Sequence, residues 1–217
     1  MSLKELFSST YAVWRKNVLL YCGMSAAFTL LTSFPYWTID LASRPGLLRS
    51  ILEGLISVVL YSSGMIVFSG IIARSVTGQL QGRKVVPGEI FESAKSSGSL
   101  AGDALKAGLR ITVGLCALII PGVIMRLRWL VMGPVICLEN SVDAAARSDA
   151  LMEGHQSVLF GFLLLIGVAS FLGTYLSGNV ITFYNPIMPI LAHSFEAVGI
   201  CVTYDRAVAD FQRRHAA

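Results

Sequence analysis

Charge is what this chain has least of. Only 14% of its 217 residues are Asp, Glu, Lys or Arg, against about 25% in an ordinary soluble domain. A surface so poor in hydrated groups cannot face water over most of its area, so the exterior must be solvated by something apolar. Cysteine is scarce as well. Cys22, Cys116, Cys137 and Cys201 fall singly inside apolar runs, which excludes a disulfide scaffold and the clustered spacing of a metal site. They read as small buried hydrophobes. The chain contains no P-loop, G-x-G-x-x-G, G-x-S-x-G or H-E-x-x-H, so no cofactor is expected and the enzyme classes those motifs mark gain no support. A net charge of +4 invites a nucleic-acid reading, but the basic residues lie in ones and twos between apolar runs. A nucleic-acid face would concentrate them.

What the chain has instead is apolar length, with 54% hydrophobic residues and a mean hydropathy of +0.68. Apolar runs lie at roughly 18–38, 54–72, 105–120, 123–138, 158–177 and 187–204. The first, second and fifth approach the ~20 residues that cross a hydrocarbon core as a helix. The expected fold is an all-α integral membrane protein, a bundle of about six transmembrane helices with short interfacial helices, as a single membrane domain over 1–217. Residues 105–138 admit two arrangements, a pair of short spans turning at Pro121-Gly122 or a re-entrant hairpin. Two spans are favoured. The first run follows a long charged leader, and no small-x-small site closes it before Phe34-Pro35, so it is expected to be a retained span and not a signal peptide.

Orientation follows from Lys and Arg in the connecting segments. Six spans with a cytoplasmic N-terminus leave only Arg44, Arg49, Arg126 and Arg128 outside, against thirteen bases inside. Both termini are therefore expected in the cytoplasm. Residues 1–16 read as an interfacial helix opened by a Ser2–Glu5 capping box. Residues 74–104 read as a cytoplasmic loop with a surface helix, and 139–157 as a cytoplasmic surface helix ended by Gly154, with Asp143 and Arg147 as an i, i+4 pair. Small residues four apart, namely Ala104, Gly108 and Thr112, then Ala169, Gly173 and Ser177, and Gly23 with Ala27, mark packing seams.

Ionisable residues in the spans are the functional candidates, because charge in hydrocarbon faces a cavity or a partner. Arg126 and Arg128 are two apart, so they point to opposite sides of a helix. Arg126 shares its side with Leu130, Gly133 and Cys137, where the glycine admits a neighbouring helix, and is expected to turn inward. His193 and Glu196 are one turn apart in the last run and form a candidate partner. Glu139 closes the fourth run; it reads either as an acid or base or as a tie to the segment that follows.

The run Pro121-Gly122-Val123-Ile124, then Arg128, Pro134, Glu139, Ala145, Ser148, Leu151 and Gly154, resembles the membrane module attached to some bacterial glycerophosphoryl diester phosphodiesterases and the stand-alone YciC-like inner-membrane proteins. The closing Tyr204-Asp205-Arg206 and the entry Trp14-Arg15-Lys16-Asn17 are similar too. The resemblance implies a six-helix, multi-pass inner-membrane module without the soluble catalytic barrel. The expected function is a non-catalytic module that contacts anionic headgroups, through Arg83, Lys84, Lys95 and Arg147, or binds a protein partner or a second copy. The alternatives are a small transporter or channel around Arg126, His193 and Glu196, and a lipid-modifying enzyme using Glu139 or His193.

Overall fold

The computed structural model describes residues 1–40, 46–95, 98–139, 143–178 and 187–216. Every regular element among them is helical: α1 (Leu3–Trp14), α2 (Val18–Asp40), α3 (Leu47–Leu80), α4 (Pro87–Lys95), α5 (Gly98–Ala117), α6 (Ile119–Trp129), α7 (Met132–Glu139), α8 (Ala144–Met152), α9 (Gln156–Gly178) and α10 (Ile187–His215). Arg44 and the side chains of Arg49 and Lys95 lie outside the described residues.

Among the described residues four stretches are long and apolar enough to cross a membrane, Ile51–Leu80, Ile119–Glu139, Gln156–Gly173 and Ile187–His215. α9 contains no charged residue, and Phe160, Leu164, Val168 and Phe171 are exposed along it. A helix apolar on nearly every face, with so little of it covered by protein, has the length and surface of a membrane span. α5 carries Asp103, Lys106 and Arg110 and does not reach the same apolar standard.

The turn in the 105–138 region is at Leu118, whose extended backbone (φ −156°, ψ 126°) separates α5 from α6, and not at Pro121-Gly122. Pro121 sits in the first turn of α6, where the missing N–H costs no helical bond. Gly122 lets the two helices touch: a Cβ there would collide with Leu115 N and stand 2.6 Å from Leu115 Cα. α6 and α7 together make the single stretch Ile119–Glu139, interrupted at Leu130–Val131. Pro134, four residues on from Leu130, has no N–H for the Leu130 carbonyl.

α3 is the axis of the bundle. It runs on through Leu80, so residues 74–80, expected in a loop, are helical, and residues 98–104 belong to α5. The helix stops where Gly82 adopts φ +80°, with Arg83 N donating to Gly78 O and Gly82 N to Gln79 O, the 6→1 and 5→2 pair of a Schellman end. Lipid tails are as apolar as Leu, so helices associate here through close contact. A Cβ on Gly133 would collide with Ile66 O and lie 2.9 Å from Gly70 N; one on Gly108 would collide with Ser63 Oγ and lie 2.9 Å from Val59 O. The α5 seam is therefore a true contact with α3, whereas Gly23 faces open space and Ala169 is exposed. Gly173 meets Met188 of α10.

α1 begins with the capping box, Ser2 N donating to Glu5 Oε2 (2.8 Å) and Glu5 N to Ser2 Oγ (3.3 Å). Its apolar face is covered by protein: Leu6 is fully buried, Phe7 lies 4.8 Å from the Phe162 ring, and Trp14 Nε1 donates to Ser194 Oγ at 2.9 Å.

Gly133→Val should lower detergent-solubilised stability by about 1–3 kcal/mol through overpacking against α3, read as a fall in the thermal midpoint by circular dichroism. Gly167→Ala, where a Cβ meets nothing within 4 Å, should leave it unchanged. Equal midpoints for both variants would mean that α3 and α7 do not depend on that close approach.

Candidate functional site

Arg126, on α6, meets Glu196, on α10, with Nη2 3.4 Å from Oε1. Glu196 is buried, with 6% of its side chain exposed, and Arg126 is a third exposed. The second carboxylate oxygen, Oε2, accepts the Tyr61 hydroxyl at 2.5 Å, and the Arg126 guanidinium lies 5.2 Å from the Tyr61 ring centroid. His193 is one turn before Glu196 on α10. Its ring is 5.2 Å from that of Tyr61 and edge-on to Phe28, and Nδ1 is 3.2 Å from Thr29 Oγ1. Four helices thus contribute to one polar cluster. Each charge removed from water has an opposite charge or a hydrogen bond, as an apolar surround demands.

The cluster borders a cavity of about 450 Å³ whose lining includes Tyr61, Arg126, Ser170, His193 and Glu196 on the polar side and Leu163, Ile166 and Phe171 on the apolar side. The three residues singled out in the sequence, Arg126, His193 and Glu196, are brought together here. Tyr61 was missed: the polar signal was the interruption Tyr61-Ser62-Ser63 inside the second apolar run.

Arg128 turns away from this cluster. Its Nη1 is 3.2 Å from Asp149 Oδ2 on α8, and Ser148 Oγ donates to the Arg128 carbonyl at 2.5 Å. The residue that the charge count grouped with the outer segments is thus joined to α8. Glu139 is a tie: Oε2 accepts from Arg147 Nε at 2.7 Å and Oε1 from the Tyr204 hydroxyl at 2.8 Å. Arg147 also lies 4.4 Å from the Phe211 ring centroid. Asp143, expected to pair with Arg147, instead caps α8 by accepting from Ala146 N at 3.0 Å. Gly154, at φ +83°, turns the chain between α8 and α9. Next to it His155 Nε2 lies 3.3 Å from Asp210 Oδ2. Burial pushes the His155 imidazole below its ordinary range, against the pull of the Asp210 carboxylate.

Pro121 and Arg206 are exposed, Pro134 is buried, and Asp205 is half-buried; none of them touches the Arg126 cluster. Arg83 and Lys84 are exposed just past α3, with Arg83 Nη2 3.2 Å from Gln81 Oε1. Among the described residues no three His, Cys, Asp or Glu side chains converge to hold a metal ion. Comparisons with family models, curated proteins and solved structures give no match.

Two outcomes follow. Arg126→Met should cost about 2 kcal/mol, below the usual cost of breaking a fully buried pair because Arg126 is partly exposed. Adding Glu196→Gln should recover most of that loss in a double-mutant cycle of thermal unfolding; additive losses would mean that the pair is not coupled. For His155 the folded state favours the neutral ring, so its contribution to stability is complete above about pH 6.5 and is lost as pH falls below it. The thermal midpoint should drop on acidification in the parent and drop less in His155→Gln; identical pH profiles would remove His155 as the source.

Proposed function

We propose that this chain is a non-catalytic, multi-pass module of the bacterial inner membrane that engages phospholipid. In this reading α2 and α5 complete six crossings, both termini are cytoplasmic, and the chain is of the YciC-like type its 121–154 segment resembles. One observation carries the lipid reading: the polar cluster at Arg126 sits beside cavities whose remaining walls are the apolar side chains of α6 and α9, including the exposed Phe160, Leu164, Val168 and Phe171. A hydrated solute would meet an apolar wall on that side, whereas a lipid matches it. At the end of α3, Arg83 and Lys84 stand exposed and would each add about 1 kcal/mol of attraction to an anionic leaflet when close to it. Arg147 contributes less, because Glu139 and Phe211 already hold it.

A transporter or channel is the second reading, favoured by the cavity beside Arg126, His193 and Glu196. A lipid-modifying activity has weaker support. Glu139 is engaged by Arg147 and Tyr204, and His193 is turned to Thr29, so acid and base do not converge on one reacting position.

Native mass spectrometry of the gently extracted protein should show retained phospholipid. Reversing Arg83 and Lys84 to Glu should lower the amount of phosphatidylglycerol that co-purifies, and unchanged co-purification would remove the headgroup contact. Protein free of bound lipid, together with solute uptake in proteoliposomes, would favour transport instead.

A further inference from the structure

Two cavities, of about 450 Å³ and about 420 Å³, share Arg126, Leu163, Gly167 and Phe171 as walls. They adjoin at Arg126 and differ in character. The first carries the hydroxyl of Ser170, the imidazole of His193 and the Glu196 carboxylate. The second is lined, apart from Arg126, by apolar residues such as Val123, Leu127, Phe160 and Leu164. Gly167 widens the junction, since a Cβ at that position would have no atom within 4 Å.

Arg126 has donors to spare. A guanidinium carries five N–H groups, and the hydrogen bond to Glu196 is long, at 3.4 Å. Nε is buried and, among the described residues, has no hydrogen-bond partner. The side chain is one-third exposed, so the guanidinium N–H groups other than the enclosed Nε stand open to an acceptor in the groove. Along the Ile119–Glu139 stretch Arg126 lies about 10 Å from the Ile119 end at 1.5 Å per residue, within reach of an interface for a long basic side chain.

We propose that this amphipathic groove is a lateral phospholipid site, an inference that rests on the lipid-engaging reading and gives it a location. The phosphodiester accepts from Arg126, with Ser170 and His193 available to the glycerol and headgroup, and one acyl chain lies between α6 and α9 against Val123, Leu127, Phe160 and Leu164. A free anion would leave the apolar half unfilled, and a bare hydrocarbon would leave the exposed guanidinium N–H groups of Arg126 without an acceptor. A glycerophospholipid supplies both parts. Glu196 already balances the charge of Arg126, so the site reads the phosphate and not the net charge of the lipid. Zwitterionic and anionic phospholipids are both held, in contrast with the anionic preference of Arg83 and Lys84.

The test compares the parent with Arg126→Gln, with Gly167→Phe, which fills the junction from a position that has room for a side chain, and with the double reversal of Arg83 and Lys84 to Glu. Each is gently extracted, delipidated and titrated with phosphatidylethanolamine and with phosphatidylglycerol under native mass spectrometry. The parent and the double reversal should hold one tightly bound phospholipid of either class. Arg126→Gln and Gly167→Phe should each bind it at least about 10-fold more weakly, about 1.4 kcal/mol. Undiminished binding by either groove variant overturns this location while the lipid-engaging reading stands. A parent that binds no phospholipid overturns both.

Discussion

A charge placed among acyl chains must find its partner inside the protein, and that constraint organises the middle of this bundle. Arg126 could have been satisfied by water in a soluble protein. Here it lies on a helix packed between α5 and α9, and its ion pair is with Glu196 from the far end of the chain. The Tyr61 hydroxyl and ring close the arrangement from α3. Close backbone contact supplies the rest of the cohesion, because burial against neighbours gains little over burial against lipid. Gly108 and Gly133 press α5 and α7 onto α3, and this sets where Tyr61 stands relative to α6.

A second polar network holds the other end of the Ile119–Glu139 stretch. Proline at 134 interrupts the helix, and the region is fastened to α8 by Arg128 with Asp149 and by Glu139 with Arg147, then to α10 by the Tyr204 hydroxyl. The motif residues therefore divide into two groups. Glu139, Ser148 and Gly154 build this fastening and its turn, while Gly122 sets the contact of α5 with α6. None of them lies in the Arg126 cluster. A sequence motif concentrated on the fastening can thus accompany a site whose ligand is set elsewhere.

Much of the fold was legible because its causes are local. The Ser2–Glu5 capping box, the glycine after α8 and the apolar runs of α9 and α10 depend on neighbours a few residues away. The inward turn of Arg126 was legible from rotation along one helix with Gly133 on its side, and Glu196 stood out as a candidate partner because it lies one turn from His193 inside the last apolar run. What was not legible depended on contacts distant in sequence. Tyr61 differs little from any interfacial tyrosine until α10 is placed beside it. Arg147 abandons Asp143 for Glu139 because the cap claims Asp143 and the fastening brings Glu139 near. The turn at Leu118 was misplaced because Pro-Gly marks a helix start as readily as a loop, and only the collision at Gly122 distinguishes them.

The whole account requires that acyl chains, not water or another protein, solvate the outer wall formed by α9. Spin labels placed singly at Phe160, Leu164, Val168 and Phe171 in the reconstituted protein measure this directly, through collision with oxygen and with a water-soluble nickel chelate. The account predicts high oxygen and low nickel accessibility at all four positions. Nickel accessibility typical of an aqueous surface along α9 would contradict it.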